Sequence, residues 1–465
     1  MRIIRTVPAI ALLLAGCAIP NAKPSVAPMA ASDLGLGTVV APDIDARWWR
    51  AFGDPQLDRL VDDATANSPT LAAALARVRQ ADAVLSSRRA EDGPDITLDG
   101  SAQVARLSGR YTIPPPYGGS TRFVGQVQAN LSWNLDLFGR QRAAIEGANA
   151  SADAARLDAE AARLALAGAV AQTYVDLTRA ELAAKIAASA ISTREGSLKL
   201  VRVRQRSQLA SRIDTTAAET LLAQAHSALV AAQGQRALAA NALAALAGRG
   251  ADYAGAITPS TMRLDGLTLP AAIPADLLAR RADLAAGQAR IAAAAAGRQV
   301  ARRAFYPNIN LAALAGFQAI GIENLFALDA GTVGAGPAVH LPIFDNGRLK
   351  ADLAGATAAL DLATADYNGH VVTAVREAAD AVALDRNIAE RRRSQAQVVS
   401  GFAETGRLNA VRVRSGLSNR LDLVDNDVRL LDAQLAEANL SADAARTRIA
   451  LVMALGGGYL PKESK

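Results

Sequence analysis

The feature that most constrains this chain is a long stretch without proline. Residues 141–204 contain no proline and little glycine, which favours one continuous helix. At about 1.5 Å per residue, such a helix would be a rod of roughly 95 Å, too long for a compact domain. Its small and apolar side chains recur at alternating spacings of four and three, which predicts helical neighbours packed close to it. A break is expected near residues 206–213, followed by a shorter helix that ends at about Leu246.

The chain is also duplicated at a long period. Residues 67–78 align with residues 280–291 at an offset of 213, and the same offset carries Pro94 onto Pro307. Further along, the offset becomes 208, as for Gly139 and Gly347 or Gly248 and Gly456. The order of these matches predicts two equivalent halves. The domain limits that follow are a signal peptide (1–16), a tether with a first short segment (17–66), a first repeat (67–248), a linker (249–275), a second repeat (276–458) and a tail (459–465).

Each half also contains two segments with the period of a β-strand. Segment 123–136 alternates apolar or small residues with polar ones for a dozen positions, and segment 95–106 precedes it; segments 308–318 and 333–343 are their counterparts. This length suits a membrane-spanning strand, which needs about 9–11 residues, although a soluble hairpin is the commoner structure. Four strands cannot close a barrel, and lipid does not tolerate an open sheet edge. The barrel would then be shared between chains, and three copies would supply twelve strands.

The predicted fold class is therefore mainly α with membrane β. It is a trimeric twelve-stranded β-barrel, with four strands from each chain, continuous with a long α-helical barrel. The helices of three chains would close this second barrel in the periplasm. The sequence does not by itself determine the copy number.

The N-terminus predicts export and lipid anchoring. Arg2 and Arg5 precede a short apolar stretch that ends in Leu14-Ala15-Gly16-Cys17. A basic segment followed by so short an apolar run is typical of a signal peptide. Small residues before a cysteine resemble the lipobox of bacterial lipoproteins, and Cys17 is the only cysteine of the chain. Cys17 is thus predicted to be lipidated and to begin the mature chain, with the outer membrane as its destination. An ordinary secretory signal is the alternative.

Composition argues against an enzyme. A single cysteine excludes a disulfide framework, and the three histidines lie far apart in the sequence. No nucleotide-binding, hydrolase or zinc motif is present, so neither a cofactor nor a metal is expected. A net charge of +6 over 465 residues is too small to suggest nucleic acid as a partner.

Several motifs together resemble one known family, the TolC-like trimeric outer-membrane efflux proteins, and in particular their lipoprotein branch. Besides the lipobox, they are residues 48–57, 136–140, 269–284, 306–308, 342–348 and 454–458. The resemblance covers nearly the whole mature chain. It implies a homotrimeric passive exit duct in the outer membrane that docks a periplasmic adaptor protein and an inner-membrane transporter, with an RND-type transporter as the expected partner. The expected cargo is a drug or another small molecule.

The same resemblance implies a periplasmic gate. Residues 421–425 match the acidic motif that constricts the helical barrel in this family, so Asp422 and Asp425 are the expected gate carboxylates. Asp214 matches a position that ties the closed end together by pairing with a basic residue. Ser418 stands where the family has the nearest arginine, and Arg420 or Arg212 is the substitute that the sequence offers.

Three other functions remain open at this point. A periplasmic coiled-coil adaptor or scaffold lipoprotein would share the long helices but would need no membrane strands. A type I secretion exit duct would share the whole architecture. A free-standing diffusion porin is opposed by the small number of strands in each chain.

Overall fold

The computed structural model describes residues 23–30, 34, 44–110, 113–267, 280–418 and 420–459. The predicted signal peptide and the lipidation site Cys17 lie outside these residues, as do much of the tether, the end of the linker and the last residues of the tail. The same holds for the side chain of Arg420, although its backbone begins a helix.

Helices and strands follow one another in the order that the sequence predicts. Two short helices come first: α1 (Pro55–Asn67) and α2 (Pro69–Ala90). The remaining elements are β1 (Asp95–Arg106), β2 (Thr121–Asn134), α3 (Arg140–Arg206), α4 (Arg212–Leu246), α5 (Ala282–Arg303), β3 (Asn308–Ile320), β4 (Gly331–His340), α6 (Arg348–Arg414) and α7 (Arg420–Ala454).

The helices of the two halves match in length. Helices α2 and α5 each have 22 residues, α3 and α6 each have 67, and α4 and α7 each have 35. A helix of 67 residues is about 100 Å long, in agreement with the predicted rod. Within the described residues, none of the helices combines the length and the apolar character that crossing a bilayer requires.

Two strands end earlier than predicted. The fourth is predicted to reach residue 343 but ends at His340, and the alternation extends the second strand to residue 136, whereas β2 ends at Asn134. Asp136 has a positive φ of 34°, and its carboxylate accepts hydrogen bonds from the backbone N–H groups of Gln141 and Arg142, both at 2.9 Å. Asp136 thus satisfies free donors in the first turn of α3 instead of continuing the strand.

The chain divides into two units, each described here by itself. The first comprises Met1–Pro28, Arg77–Ala155 and Gly287–Tyr367. Its strands form one antiparallel sheet in the order β1-β2-β3-β4. The centre pairs β2 with β3, in a register that sets Gln126 opposite Gln318. Strands β1 and β4 form the two edges, so the sheet is open within the described chain.

The outer strands display an apolar face. In β1, Ile96, Leu98 and Val104 are 69–75% exposed, while Asp95, Thr97 and Asp99 alternate with them along the strand. In β4, Val333 and Val339 are likewise exposed. A soluble sheet buries its apolar face, so this arrangement is that of strands that face lipid or a further chain.

The second unit comprises Met29–Ala76, Arg156–Ala286 and Asn368–Lys465, and it contains the largest apolar core. Trp48, Trp49 and Phe52 form a short 3₁₀ turn and are almost completely buried. They pack with α1 against the middle of α3 and the last turns of α4 and α7. The two tryptophans thus pack a short N-terminal segment onto this core.

A buried polar network crosses this core. Tyr174 of α3 is 0% exposed, and its hydroxyl donates to Asp54 Oδ2 at 2.7 Å. The same hydroxyl accepts from Gln56 Nε2 at 2.9 Å. Thr261 N also donates to Asp54, at 2.8 Å. Burial favours the neutral carboxyl, but these hydrogen bonds outweigh it and hold the pKa of Asp54 below its usual value.

In the same unit, the shorter helices lie antiparallel along the long ones. Arg236 of α4 donates to Glu181 of α3 at 2.9 Å, and Glu219, earlier in α4, accepts from Arg202, later in α3, at 2.7 Å. In the second half, α7 contacts α6 in the same sense, through Asn426 and Gln395. Each half therefore ends in a helical hairpin whose turn lies between the long helix and the short one.

Candidate functional site

The turns of the two helical hairpins carry the carboxylates that the sequence singles out. In the first turn, Leu209 N donates to Arg204 O at 2.8 Å. In the second, Leu417 N donates to Arg412 O, also at 2.8 Å. Gln208 and Gly416 occupy the preceding position with φ values of 59° and 70°. Such closures are typical of helix C-termini, and they occur at the same offset of 208 residues.

Asp214 lies in the first turn of α4, where it takes part in a capping box. Its Oδ2 accepts from the N–H and the hydroxyl of Ser211 at 2.7 and 2.8 Å, while its own N–H donates to Ser211 Oγ at 3.2 Å. The backbone and side-chain hydrogen bonds from Ser211, with Arg204 nearby, hold the pKa of Asp214 below its usual value. Within the described chain, the partner of Asp214 is therefore a serine and not Arg212.

Asp422 lies at the corresponding position in α7, in the first turn of that helix. The hydroxyl of Ser418 donates to Asp422 Oδ2 at 2.7 Å. The serine that replaces the arginine of the resembled family thus still binds an acidic residue, although without neutralising its charge. The spacing of four residues between Ser418 and Asp422 is visible in the sequence. It does not by itself indicate a hydrogen bond, because the resembled family has an arginine where this chain has the serine.

Asp425 follows one turn later and forms an ion pair with Arg429 at 3.0 Å, four residues away on the same helix. Both side chains are about two-thirds exposed, so the pair is solvated and weak. Asp422 and Asp425 are both exposed, and their spacing allows them to share one side of α7. In a single chain, the structure thus presents two carboxylates towards solvent beside the turn.

Among the described residues, no group of three or more histidine, cysteine, aspartate or glutamate side chains could hold a metal ion. What distinguishes the site is its position, because acidic residues lie at the turn of each helical hairpin, at the start of a short helix of 35 residues, or about 50 Å.

Comparisons with known proteins agree with this combination of a strand sheet, paired long helices and an acidic turn. The family model described as outer membrane efflux protein matches residues 60–249 and 273–457. The pyoverdine export outer membrane protein OpmQ of Pseudomonas putida is 32% identical over 89% of this chain and 88% of its own length. The toluene efflux pump outer membrane protein TtgC of Pseudomonas putida is 30% identical over 97% of this chain and 94% of its own.

A solved structure extends the likeness to the whole fold. The crystal structure of the outer membrane protein VceC from Vibrio cholerae matches with a TM-score of 0.82 and 32% identity, covering 90% of this chain and 100% of that one. The fold, the family model and these relatives together define an outer-membrane efflux channel. The chain belongs to the outer membrane efflux protein family. The predicted fold class and the predicted efflux function are thereby confirmed. The alternative of a coiled-coil adaptor is disfavoured, because such a protein needs no membrane strands.

Proposed function

We propose that three copies of this chain form a lipid-anchored exit duct in the outer membrane, closed at its periplasmic end by Asp422 and Asp425. A periplasmic adaptor and an inner-membrane transporter of the RND type would complete the pump. The names of OpmQ and TtgC refer to the export of pyoverdine and the efflux of toluene, so small organic molecules are the proposed cargo. The two repeats, 67–248 and 276–458, are the proposed domains, supported by the equal lengths of their helices.

The open sheet supports assembly from several chains. Strands β1 and β4 are edges within the described chain, and they expose apolar side chains such as Leu98 and Val333. Unpaired strand edges are not tolerated in lipid, since each free N–H and C=O group costs several kcal/mol there. Pairing β4 of one copy with β1 of the next removes every edge once the ring closes.

Contacts of the N-terminal segment support the lipid anchor at Cys17. Ser25 donates through its N–H and its hydroxyl to Asp361 of α6, at 2.8 and 2.7 Å. Asp361 lies thirteen residues from the start of α6, a distance of about 20 Å along the helix. Eight residues separate Cys17 from Ser25, and an extended chain of that length spans up to about 28 Å. A lipid on Cys17 is therefore within reach of the end of α6 that follows the sheet.

Exposure of Asp422 and Asp425 supports the gate. Three copies would bring six carboxylates around one axis, where they would favour cations and resist anions. Asp422 accepts a hydrogen bond from Ser418, and the pair of Asp425 with Arg429 is solvated. Salt should screen the effect, because the Debye length is about 10 Å at 0.1 M ionic strength.

Single-channel conductance in planar bilayers tests the gate. We expect the double variant Asp422→Asn/Asp425→Asn to conduct more than the wild type and to lose most of its cation selectivity at low salt. Asp380→Asn is the matched control, since Asp380 also pairs with an arginine four residues away and is equally exposed. Unchanged conductance and selectivity in the double variant, or an equal change in the control, would exclude an acidic gate.

Metabolic labelling with a palmitate analogue tests the anchor separately. The wild type should carry the label, and Cys17→Ala should lose it while still migrating as a trimer in mild detergent. Label retained by Cys17→Ala would contradict lipidation at this residue. A monomer in the wild-type preparation would contradict the shared barrel.

A further inference from the structure

The two hairpins differ in their apolar packing near the turn, although their helices have the same lengths. In the first hairpin, Leu198 and Val201 of α3 pack against Ala218 of α4, and all three are buried. At the offset of 208, the corresponding residues are Gly406, Asn409 and Asn426. The second hairpin thus replaces the three buried members of this cluster with a glycine and two amides, whereas Leu222, which packs against them, corresponds to Leu430.

Two side-chain hydrogen bonds that join α3 and α4 in the first hairpin also have no counterpart at the corresponding positions of the second. Arg202 donates to Glu219 at 2.7 Å, but the corresponding positions are Ala410 and Asp427. The acidic residue is therefore retained in the second hairpin, whereas its arginine is absent. A second tie, between Thr215 and Gln205 at 2.9 Å, corresponds to Leu423 and Val413, which cannot form a hydrogen bond through their side chains.

Asp427 consequently faces α6 without a neutralising partner among the described residues. A Cβ added at Gly406 of α6 would lie 3.9 Å from Asp427 Oδ1 and 2.7 Å from Asn426 Nδ2. The glycine therefore allows α7 to approach α6 closely at this level. At this short separation of the two helices, Asn426 Nδ2 donates to Phe402 O at 2.9 Å.

The arginines nearest in sequence to Gly406 and Asp427 have acidic partners on their own helices. On α6, Arg407 binds Glu404 at 2.6 Å, on either side of Gly406. On α7, Arg429 binds Asp425 at 3.0 Å. Neither arginine pairs with Asp427 within the described chain, and partial burial raises the pKa of its carboxyl group.

We propose that Asp427 is a proton-sensitive contact that sets how tightly α7 packs on α6 beside the gate carboxylates. The neutral carboxyl permits the close packing that Gly406 allows. The ionised carboxylate opposes it, because the charge loses water in the packed state without gaining a cation. Only the effect on conductance rests on the proposed gate; the effect on helix packing does not.

The direction of the pH dependence follows from linkage. The packed hairpin binds a proton at Asp427 more tightly than the separated helices do. Packing is therefore strengthened as the pH falls through the raised pKa and weakened as the pH rises through it. Asp427→Asn, which is neutral at every pH, should keep the hairpin packed at both extremes.

Hydrogen exchange of the trimer, measured by mass spectrometry and corrected for the intrinsic pH dependence of exchange, tests the proposal. Amides of residues 423–430 should be less protected in the wild type at pH 7.5 than at pH 5. Asp427→Asn should be equally protected at both. Ala410→Arg restores the arginine of the first hairpin and should raise protection at pH 7.5 by roughly 1.5- to 5-fold, as expected for an exposed ion pair.

Two controls make the result decisive. Ala410→Arg should add no protection in the Asp427→Asn background, because the new arginine then has no charge to bind. Glu219→Gln in the first hairpin should lower protection of α4 and leave residues 423–430 unchanged. Equal protection of the wild type at both pH values, or an equal gain from Ala410→Arg in both backgrounds, would overturn the proposal. A failed conductance test with Asp422 and Asp425 would leave this exchange result standing.

Discussion

Removing the buried hydroxyl of Tyr174 should weaken the packing of the N-terminal segment around Asp54 and Gln56 on the core of the second unit. In Tyr174→Phe the ring remains in place, so the packing of the core is conserved. What disappears is the hydrogen bond to Asp54 Oδ2 at 2.7 Å and the one from Gln56 Nε2 at 2.9 Å. The first involves an ionised acceptor and the second is neutral.

The magnitude follows from what remains after the change. Asp54 Oδ2 keeps its bond from Thr261 N at 2.8 Å, and Gln56 Nε2 keeps its bond to Thr258 O at 2.9 Å. No atom is left wholly without a partner, so the cost is the net value of the two bonds. A charged hydrogen bond contributes about 1.5–3 kcal/mol and a neutral one about 0.5–1.5 kcal/mol, which together predict a loss of about 2–4 kcal/mol.

Urea unfolding in detergent, followed by tryptophan fluorescence, measures this loss, because Trp48 and Trp49 lie in the same core. The midpoint should fall while the slope stays constant. Tyr367→Phe is the control, since Tyr367 is also buried but its hydroxyl accepts a single neutral bond from Gln288 at 3.1 Å.

The control should lose only about 0.5–1.5 kcal/mol. Equal losses in the two variants would refute the idea that the charged network holds the N-terminal segment on the core.

Because the pKa of Asp54 is lowered, the contribution of its ionised form to the free energy of unfolding is complete above the ordinary carboxyl pKa of about 3.9. It is lost as the pH falls through the lowered value.

Three further variants test local features of the helices. Gly456 has a φ of 103°, and an added Cβ would clash with Arg280 O, so Gly456→Ala should lower the thermal midpoint of unfolding through strain of about 1–3 kcal/mol and the added clash. Gly234→Ala, in an open helical position, should raise it instead, by about 0.5–1 kcal/mol; the opposite order would contradict the predicted strain. Ser211→Ala should speed hydrogen exchange in the first turn of α4 near neutral pH. That difference should shrink but not vanish as the pH falls through the lowered pKa of Asp214, because the bond from Ser211 Oγ to the carboxylate weakens on protonation whereas the bond from Asp214 N to Ser211 Oγ does not depend on the charge. A difference that stays constant with pH would argue against the capping box.

The hairpin junctions illustrate how far the repeat could be predicted. Gly248 and Gly456 align at an offset of 208, whereas Asn67 and Arg280 align at 213. In the structure, each glycine packs on its own partner, Gly248 on Asn67 O and Gly456 on Arg280 O. The offset changes from 213 to 208 between the start and the end of the repeat. The glycine nevertheless contacts the equivalent backbone carbonyl in both halves. Local periodicity and aligned glycines were enough to predict the elements and their order.

Side-chain partners were less accessible to prediction. The capping box of Ser211 and Asp214 follows a local spacing of three residues and is visible in the sequence. The bond between Asp54 and Tyr174 joins residues 120 positions apart, and no local pattern indicates it. The alternation of apolar and polar residues predicts a strand that includes Asp136. In the structure, its side chain instead accepts a hydrogen bond from the first turn of the next helix.

The sequence by itself determined that the chain consists of long helices and two pairs of strands, because those features depend on the spacing of neighbouring residues. Only the tertiary structure decided which carboxylates are neutralised. Glu219 and Asp427 occupy the same repeat position and both are acidic, but only Glu219 lies beside an arginine. The difference arises because the electrostatic free energy of a charge depends on the groups that face it across the helix pair, which lie far away in the sequence.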